Sequence, residues 1–110
     1  MRHSQTRIYH RAMDLIRLSH EVVAGMPRGF AFLTDQLRRA SSSVLLNYAE
    51  GIGRRSTKDR RHFFDIARGS ALEVSAILDV ARGHGAISEN RHAEGIDICD
   101  HLSAMLYRFR

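Results

Sequence analysis

Apolar residues recur at intervals of three and four along nearly the whole chain. That spacing puts side chains on one face of an α-helix. In the first segment Ile8, Ala12, Leu15, Ser19 and Val22 make one row, with Tyr9, Met13, Ile16 and Val23 beside it. The stretch "AGMPRG" interrupts the pattern: Gly25 suits a helix C-terminus and Pro27 prevents continuation. A second row, Phe30, Leu33, Leu37, Ala40, Val44 and Tyr48, runs up to Gly51 and Gly53. Ser56 or Thr57 can cap a third helix, with Asp59 near its positive end. Its face is Phe63, Ala67, Ser70, Val74, Leu78 and Ala81. "GHG" at 83–85 closes that helix, and Ser88 caps a fourth with Glu89 in the first turn. The fourth stripe is Ile96, Cys99, Leu102, Leu106 and Phe109. No β-branched run alternates with polar residues over the length of a strand.

Four helices with short connections predict an all-α, antiparallel up-down-up-down four-helix bundle. A chain of 110 residues holds one core but not two, so residues 1–110 are read as a single four-helix-bundle domain. Leu18, Ile98 and Met105 fall beside the main rows of the first and last helices. Stripes this broad predict burial beyond one bundle core, either in a wide seam or in a subunit interface, with the interface favoured because so short a bundle has much surface per core.

Helices two and three, folded back near residue 54, should pair positions whose numbers sum to about 108. Ala40, Ser43 and the serines between them then face Arg68 and Gly69. A glycine inside a helix costs about 1 kcal/mol relative to alanine, understandable at Gly69 if it lets the helices approach closely. The same pairing brings Glu73 near Arg38 or Arg39, and Glu50 near Lys58 or Arg61. Asn47 lies one turn before Glu50, and Ser70 lies beside Gly69. These are read as structural polar pairs, because no second carboxylate reaches the same spot for acid–base work.

Charge changes this picture at one place. The formal net charge is +5, from 17 basic and 12 acidic residues. Arg54, Arg55, Lys58, Arg60 and Arg61 crowd into one turn with a single acid, Asp59. Elsewhere acids and bases nearly balance. Such a patch suits RNA or DNA phosphates; the alternative is a solvated turn between packed helices. Other chemistry finds little support. "GIGRRS" lacks the GK[ST] ending of a phosphate loop and the third glycine of a dinucleotide fingerprint. Glu89 and His92 make one E-x-x-H where a di-iron bundle needs two, and Asp97 with His101 has no partner pair. The single cysteine, Cys99, excludes an internal disulfide and is read as a buried apolar residue. The serines at 41–43 have no base placed to activate them. The expectation is a protein that is no enzyme and takes no metal or cofactor. No apolar run has the length of a membrane span and no secretory leader is apparent, which predicts a cytoplasmic protein without membrane contact.

Residues 33–74 resemble a known family, the bacterial four-helix-bundle proteins of the intervening sequences in 23S ribosomal RNA genes. Gln36, Arg39, Ala40, Ser43, Val44, Asn47, Ala49, Glu50, Gly51 and Arg54 carry the first half of the resemblance. Phe63, Ile66, Ala67, Gly69, Ser70 and Glu73 carry the second. Tyr48 stands where an aliphatic residue is usual, Leu45–Leu46 where a proline is common, and Val74 where leucine is usual. The resemblance implies a non-catalytic cytoplasmic bundle that assembles as a ring-like homo-oligomer, commonly a pentamer. It is also similar to the accessory proteins of diversity-generating retroelements, basic pentameric bundles that bind nucleic acid and their reverse transcriptase. Together with the charge, this gives the expectation of a homo-oligomeric bundle that binds RNA or DNA through the turn between helices two and three. The alternative is a protein-binding adaptor such as a reverse-transcriptase accessory subunit.

Overall fold

Local chemistry sets the helix ends. The computed structural model describes the backbone from residue 3 and side chains from residue 5 to residue 110. It contains α1 (His3–Gly25), α2 (Ala31–Ile52), α3 (Thr57–Gly83) and α4 (Glu89–Arg108). Ser56 caps α3, its Oγ accepting from the Asp59 N–H at 3.0 Å, and Ser88 caps α4 by accepting from the Arg91 N–H at 3.1 Å. Both connections at the other end of the molecule turn through a glycine with positive φ, Gly29 at 95° and Gly85 at 70°. L side chains rarely adopt that conformation.

Each helix packs on two others: α2 and α4 flank α1, and the same two flank α3, while the diagonal pairs stay apart. The result is an antiparallel up-down-up-down bundle of 45 × 22 × 18 Å. The α2–α3 turn, the start of α1 and the end of α4 share one end of it.

The predicted rows of α1 and α2 lie in the core, and Ile8, Ala12, Leu15, Leu37 and Val44 are fully buried. On α3 the buried face keeps Ala67, Val74, Leu78 and Ala81 of the expected row and is turned slightly toward Phe64 and Ala71. Phe64, Ala67, Ala71, Val74, Ile77, Leu78 and Ala81 are inside, whereas Phe63 and Ser70 are only half-buried. The expected row was the edge of α3 nearest α2, and the true core face lies between α2 and α4. On α4, Phe109 is exposed instead of buried.

The broad stripes of α1 and α4 also have a different cause from the one expected. Leu18, Ile98 and Met105 are buried at 3%, 3% and 0% exposure within the monomer. A helix at the corner of a square faces two neighbours, so its apolar stripe must be wide without any second subunit. The aliphatic surface left in water lies instead on α2 and α3, at Leu46, Ile66, Leu72 and Val80, while Tyr9 of α1, Phe32 of α2, and Tyr107 and Phe109 at the end of α4 are exposed aromatics.

The α2–α3 register is shifted as well. Ser43 meets Ser70, and Gly51 meets Phe63 and Phe64, more than a helical turn beyond the symmetric pairing. Each Cβ leans toward the N-terminus of its own helix, so touching residues on antiparallel helices lie later in both than backbone level suggests. Gly69 therefore points outward, with nothing within 4 Å of where a Cβ would sit, and it is not a close-packing residue. Glu73 is exposed and makes no ion pair among the described residues. Arg38 pairs within its helix with Asp35 at 3.7 Å, and Arg39 has no ion pair. The close approaches are at Gly51, under the Phe64 ring, and Gly95, under Leu78 and Leu18.

Two glycine substitutions should separate these roles in urea unfolding. Gly51→Ala would press a Cβ to within 2.6–2.7 Å of the buried Phe64 ring and is expected to destabilise by about 1–3 kcal/mol. Gly69→Ala meets open space and should stabilise by about 0.5–1 kcal/mol. A loss of stability at Gly69→Ala would contradict the outward placement.

Candidate nucleic-acid interface

The turn after α2 is short, from Gly53 to Ser56, and its basic side chains have different environments. Arg54 folds back on its own helix. Its Nη2 donates to Glu50 Oε1 at 2.5 Å, and its guanidinium lies 4.6 Å above the centre of the Phe63 ring. Glu50 is thereby paired with Arg54 and not with Lys58 or Arg61. Arg60 lies one turn before Phe64 on the core-facing side of α3, half-buried, with its Nε shielded from solvent and without an acceptor. Arg55, Lys58 and Arg61 are exposed, and none has an ion pair or hydrogen bond among the described residues. Of the five predicted contacts, these three are free cations.

They sit at the wrong end of a helix for their charge. The N-terminus of α3 carries the positive end of the helix dipole, where each cation is disfavoured by about 0.3–1 kcal/mol. Asp59, exposed in the first turn, offsets part of this. An anion bound here would meet both the side chains and the free N–H groups of the first turn.

Behind the tip a polar chain crosses from α2 to α3. Asn47 Nδ2 donates to Ser43 O and Ser43 Oγ, both at 2.9 Å, and Ser43 Oγ shares a hydrogen with Ser70 Oγ at 2.8 Å. Asn47 thus acts on α3 through Ser43 and not directly. Beneath it Tyr48 packs on Phe64 with ring centres 5.4 Å apart, and its hydroxyl donates to Gln5 O of α1 at 2.7 Å. The Tyr48 hydroxyl thus adds a hydrogen bond between α2 and α1.

On the opposite side, charge is settled internally. A groove of about 350 Å³ between α1 and α4 is lined by Arg11, Asp14, Arg17, Glu21, Glu94 and Asp97. Arg11 reaches Asp14 at 3.2 Å and Asp97 at 3.1 Å, Arg17 reaches Asp14 at 3.2 Å, and Arg91 reaches Glu21 at 2.5 Å. The Arg11 guanidinium lies between Asp97 and His101, donating from Nε to His101 Nδ1 at 3.2 Å, and so occupies the position a metal would need. His92 is held by Asp79 at 2.7 Å, away from Glu89. Among the described residues no three His, Cys, Asp or Glu side chains come together as a metal site would require. Burial pushes the Cys99 thiol up to about 11, which keeps it protonated and unreactive. No helix of the described residues is long and apolar enough to cross a membrane.

The structure also brings to the tip a segment the helical pattern did not single out. The end of α4, "YRFR" at 107–110, lies beside the first half of α3. Arg110 pairs with Asp65 at 3.7 Å, and Arg68 Nε donates to Ser103 Oγ at 3.0 Å. The only trace of this in the sequence is the alternation of aromatic and basic residues.

Fold and surface define an antiparallel four-helix bundle with an unneutralised basic hairpin tip. The chain belongs to the 23S rRNA-intervening sequence protein family, whose model matches residues 4–108. Among solved structures it is similar to a protein of unknown function from the S23 ribosomal protein family of Bacteroides thetaiotaomicron, with a TM-score of 0.84. That match covers 93% of this chain and 96% of the other at 15% identity, a level that speaks for the fold alone. No curated protein matches the chain.

Tyr48 gives a pH test of how the hairpin is held. Burial raises its hydroxyl from 10.0 to about 12. The folded state therefore favours the neutral phenol, and that stability is complete below pH 10 and lost as pH rises toward 12. Cys99 adds a similar loss between its ordinary value of 9.0 and about 11. Urea midpoints measured from pH 8 to 12 should fall in the wild type, and Tyr48→Phe should flatten the upper part of that fall.

Proposed function

We propose that this chain is a non-enzymatic, cytoplasmic, homo-oligomeric bundle that binds RNA or DNA phosphates through the α2–α3 turn. The observation that carries the reading is the group of three exposed, unpaired cations, Arg55, Lys58 and Arg61, at the positive end of α3. The arginines of the α1–α4 groove are matched by acids, and these three are not. Phosphate contacts of this kind give affinity without reading sequence. Arg54 and Arg60 serve mainly to hold the tip, the first through Glu50 and Phe63, the second against the end of the core.

Three contacts to a single strand give a log–log salt slope of about −2 for one tip. Anisotropy titrations of a single-stranded oligonucleotide across a salt series should show that slope. Reversal of the three charges (Arg55→Glu, Lys58→Glu, Arg61→Glu) should abolish the binding. Affinity that is indifferent to salt, or that survives the reversal, would sink the reading.

The homo-oligomer rests on the outer sides of α2 and α3. Leu46 is 67% exposed and Leu72 50%, with Ile66, Gly69 and Val80 nearby on the outer side of α3. Arg39, Glu50, Ile66, Gly69 and Glu73, all carriers of the family resemblance, are exposed on these helices. Of these, Ile66, Gly69 and Glu73 have no packing or pairing role inside the monomer among the described residues, which favours a role at a surface. A ring, with a pentamer favoured, would cover this apolar strip and set several basic tips around one axis. Mass measurement in solution should give a multiple of 12.5 kDa, and Leu46→Glu with Leu72→Glu should reduce it to a monomer. A wild-type monomer would remove this part of the proposal.

A second reading, an adaptor such as a reverse-transcriptase accessory subunit, draws on the far end of the bundle. There Phe30, Phe32 and His84 cluster with ring centres 5.5–6.3 Å apart, and Phe32 is 53% exposed. Co-elution of a reverse transcriptase encoded beside this chain distinguishes the two.

A further inference from the structure

We infer that the nucleic-acid surface continues from the hairpin tip onto the end of α4, and that Tyr107 and Phe109 stack on unpaired bases there. The ligand is then a single strand and not a duplex. This rests on the phosphate-binding reading above and adds the class of ligand and the residues that select it.

The geometry joins the two regions. Lys58, Arg61, Asp65 and Arg68 recur on one side of α3, spanning about 15 Å of helix. At the far end of that stripe the Arg68 guanidinium lies 5.3 Å, and the Arg110 guanidinium 4.5 Å, from the centre of the Tyr107 ring. Arg108 lies 5.8 Å from the centre of Phe109. Tyr107 is 54% exposed and Phe109 39%. Arg68 is oriented by Ser103 and has no carboxylate partner, and only Arg110 is paired, with Asp65.

Two exposed rings alone would need no explanation. Here a guanidinium lies over each ring, as the next layer of a stack would, in a stripe with five cations and one acid. Burying that stripe against another protein would desolvate charges with few counter-ions, which is costly. A polyanion neutralises them. A single strand also offers what the rings can use, because unpaired bases stack on aromatic and guanidinium planes, whereas bases in a duplex are already stacked on each other.

The test uses the full chain with a ten-nucleotide single strand and a duplex of the same length. Tyr107→Ala with Phe109→Ala should weaken single-strand binding roughly five- to hundredfold for each stacked base. The salt slope and duplex affinity should stay unchanged, and Tyr107→Phe should bind as the wild type does. The chain has no tryptophan, so Tyr107→Trp supplies a unique fluorophore that a single strand should quench and a duplex should not. That readout stands even if the double alanine variant fails to fold. Unaltered single-strand binding in a folded double variant, or equal quenching by both ligands, overturns the stacking assignment. If the three-charge reversal abolishes binding while the ring variants do not affect it, only this inference falls. If the wild type binds no nucleic acid, the phosphate-binding reading falls with it.

Discussion

The hairpin depends on the seating of Phe64 over Gly51. No Cβ fits at position 51 with the ring where it is, so the absence of a side chain there sets how closely α3 lies on α2. The same ring packs against Tyr48, whose hydroxyl reaches across to Gln5 of α1. One close contact thus ties three helices at the end of the bundle that carries the basic tip. A loop held only by its own backbone would spread its charges over many conformations. Here the turn is a few residues long and emerges from packed helices, so the backbone that carries the three cations is held in place. That limits the ordering cost of meeting a ligand.

Electrostatics divides the surface in a complementary way. In the α1–α4 groove, arginines and acids are interleaved at spacings that let them satisfy each other. At the tip, Arg54 takes Glu50 of the preceding turn, and Arg55, Lys58 and Arg61 form no ion pair among the described residues, although Asp59 lies in the same turn. These three also oppose the dipole of α3. A charge arrangement that is unfavourable in the free protein and relieved by an anion is expected of a binding surface, and a merely solvated turn has no need of it. The contrast within one small molecule, one side balanced and one not, is stronger support than the net charge alone.

How much of this could be read beforehand follows the range of the interaction. The caps at Ser56 and Ser88 were legible because each involves one side chain and an N–H three residues on. Helix existence was legible because periodicity is also local. The rotation of α3 to Phe64, the outward turn of Gly69 and the loose Glu73 were not, since they depend on how two helices settle against each other. The reading of Leu18, Ile98 and Met105 as interface residues failed for a geometric reason: a corner helix in a square bundle has two neighbours. The charged tip was visible as composition, but which of its five cations are free was decided by Glu50, Phe63 and the end of the core. The α4 terminus was hidden because Phe109 continued the apolar period and was counted as core.

The oligomer and the tip are connected by magnitude. Under the proposed reading, three phosphate contacts on one 12.5 kDa chain would make a weak, salt-sensitive site, of the kind that supplies non-specific binding. Linking several such sites on a rigid ring makes each later contact intramolecular, and avidity can then exceed single-site affinity by factors on the order of 10²–10⁴ without new chemistry. That gain requires tips pointing to one side and held at fixed spacing. An interface on the outer sides of α2 and α3 would provide both, because the strip and the tip belong to the same two helices. An interface on α1 and α4, the arrangement suggested by their broad stripes, would have put the hairpin tips far from the ring axis and left the apolar strip in water. With those stripes buried inside the monomer, the proposed interface moves to the outer sides of α2 and α3, where the proposed oligomer and nucleic-acid surface would be parts of one arrangement.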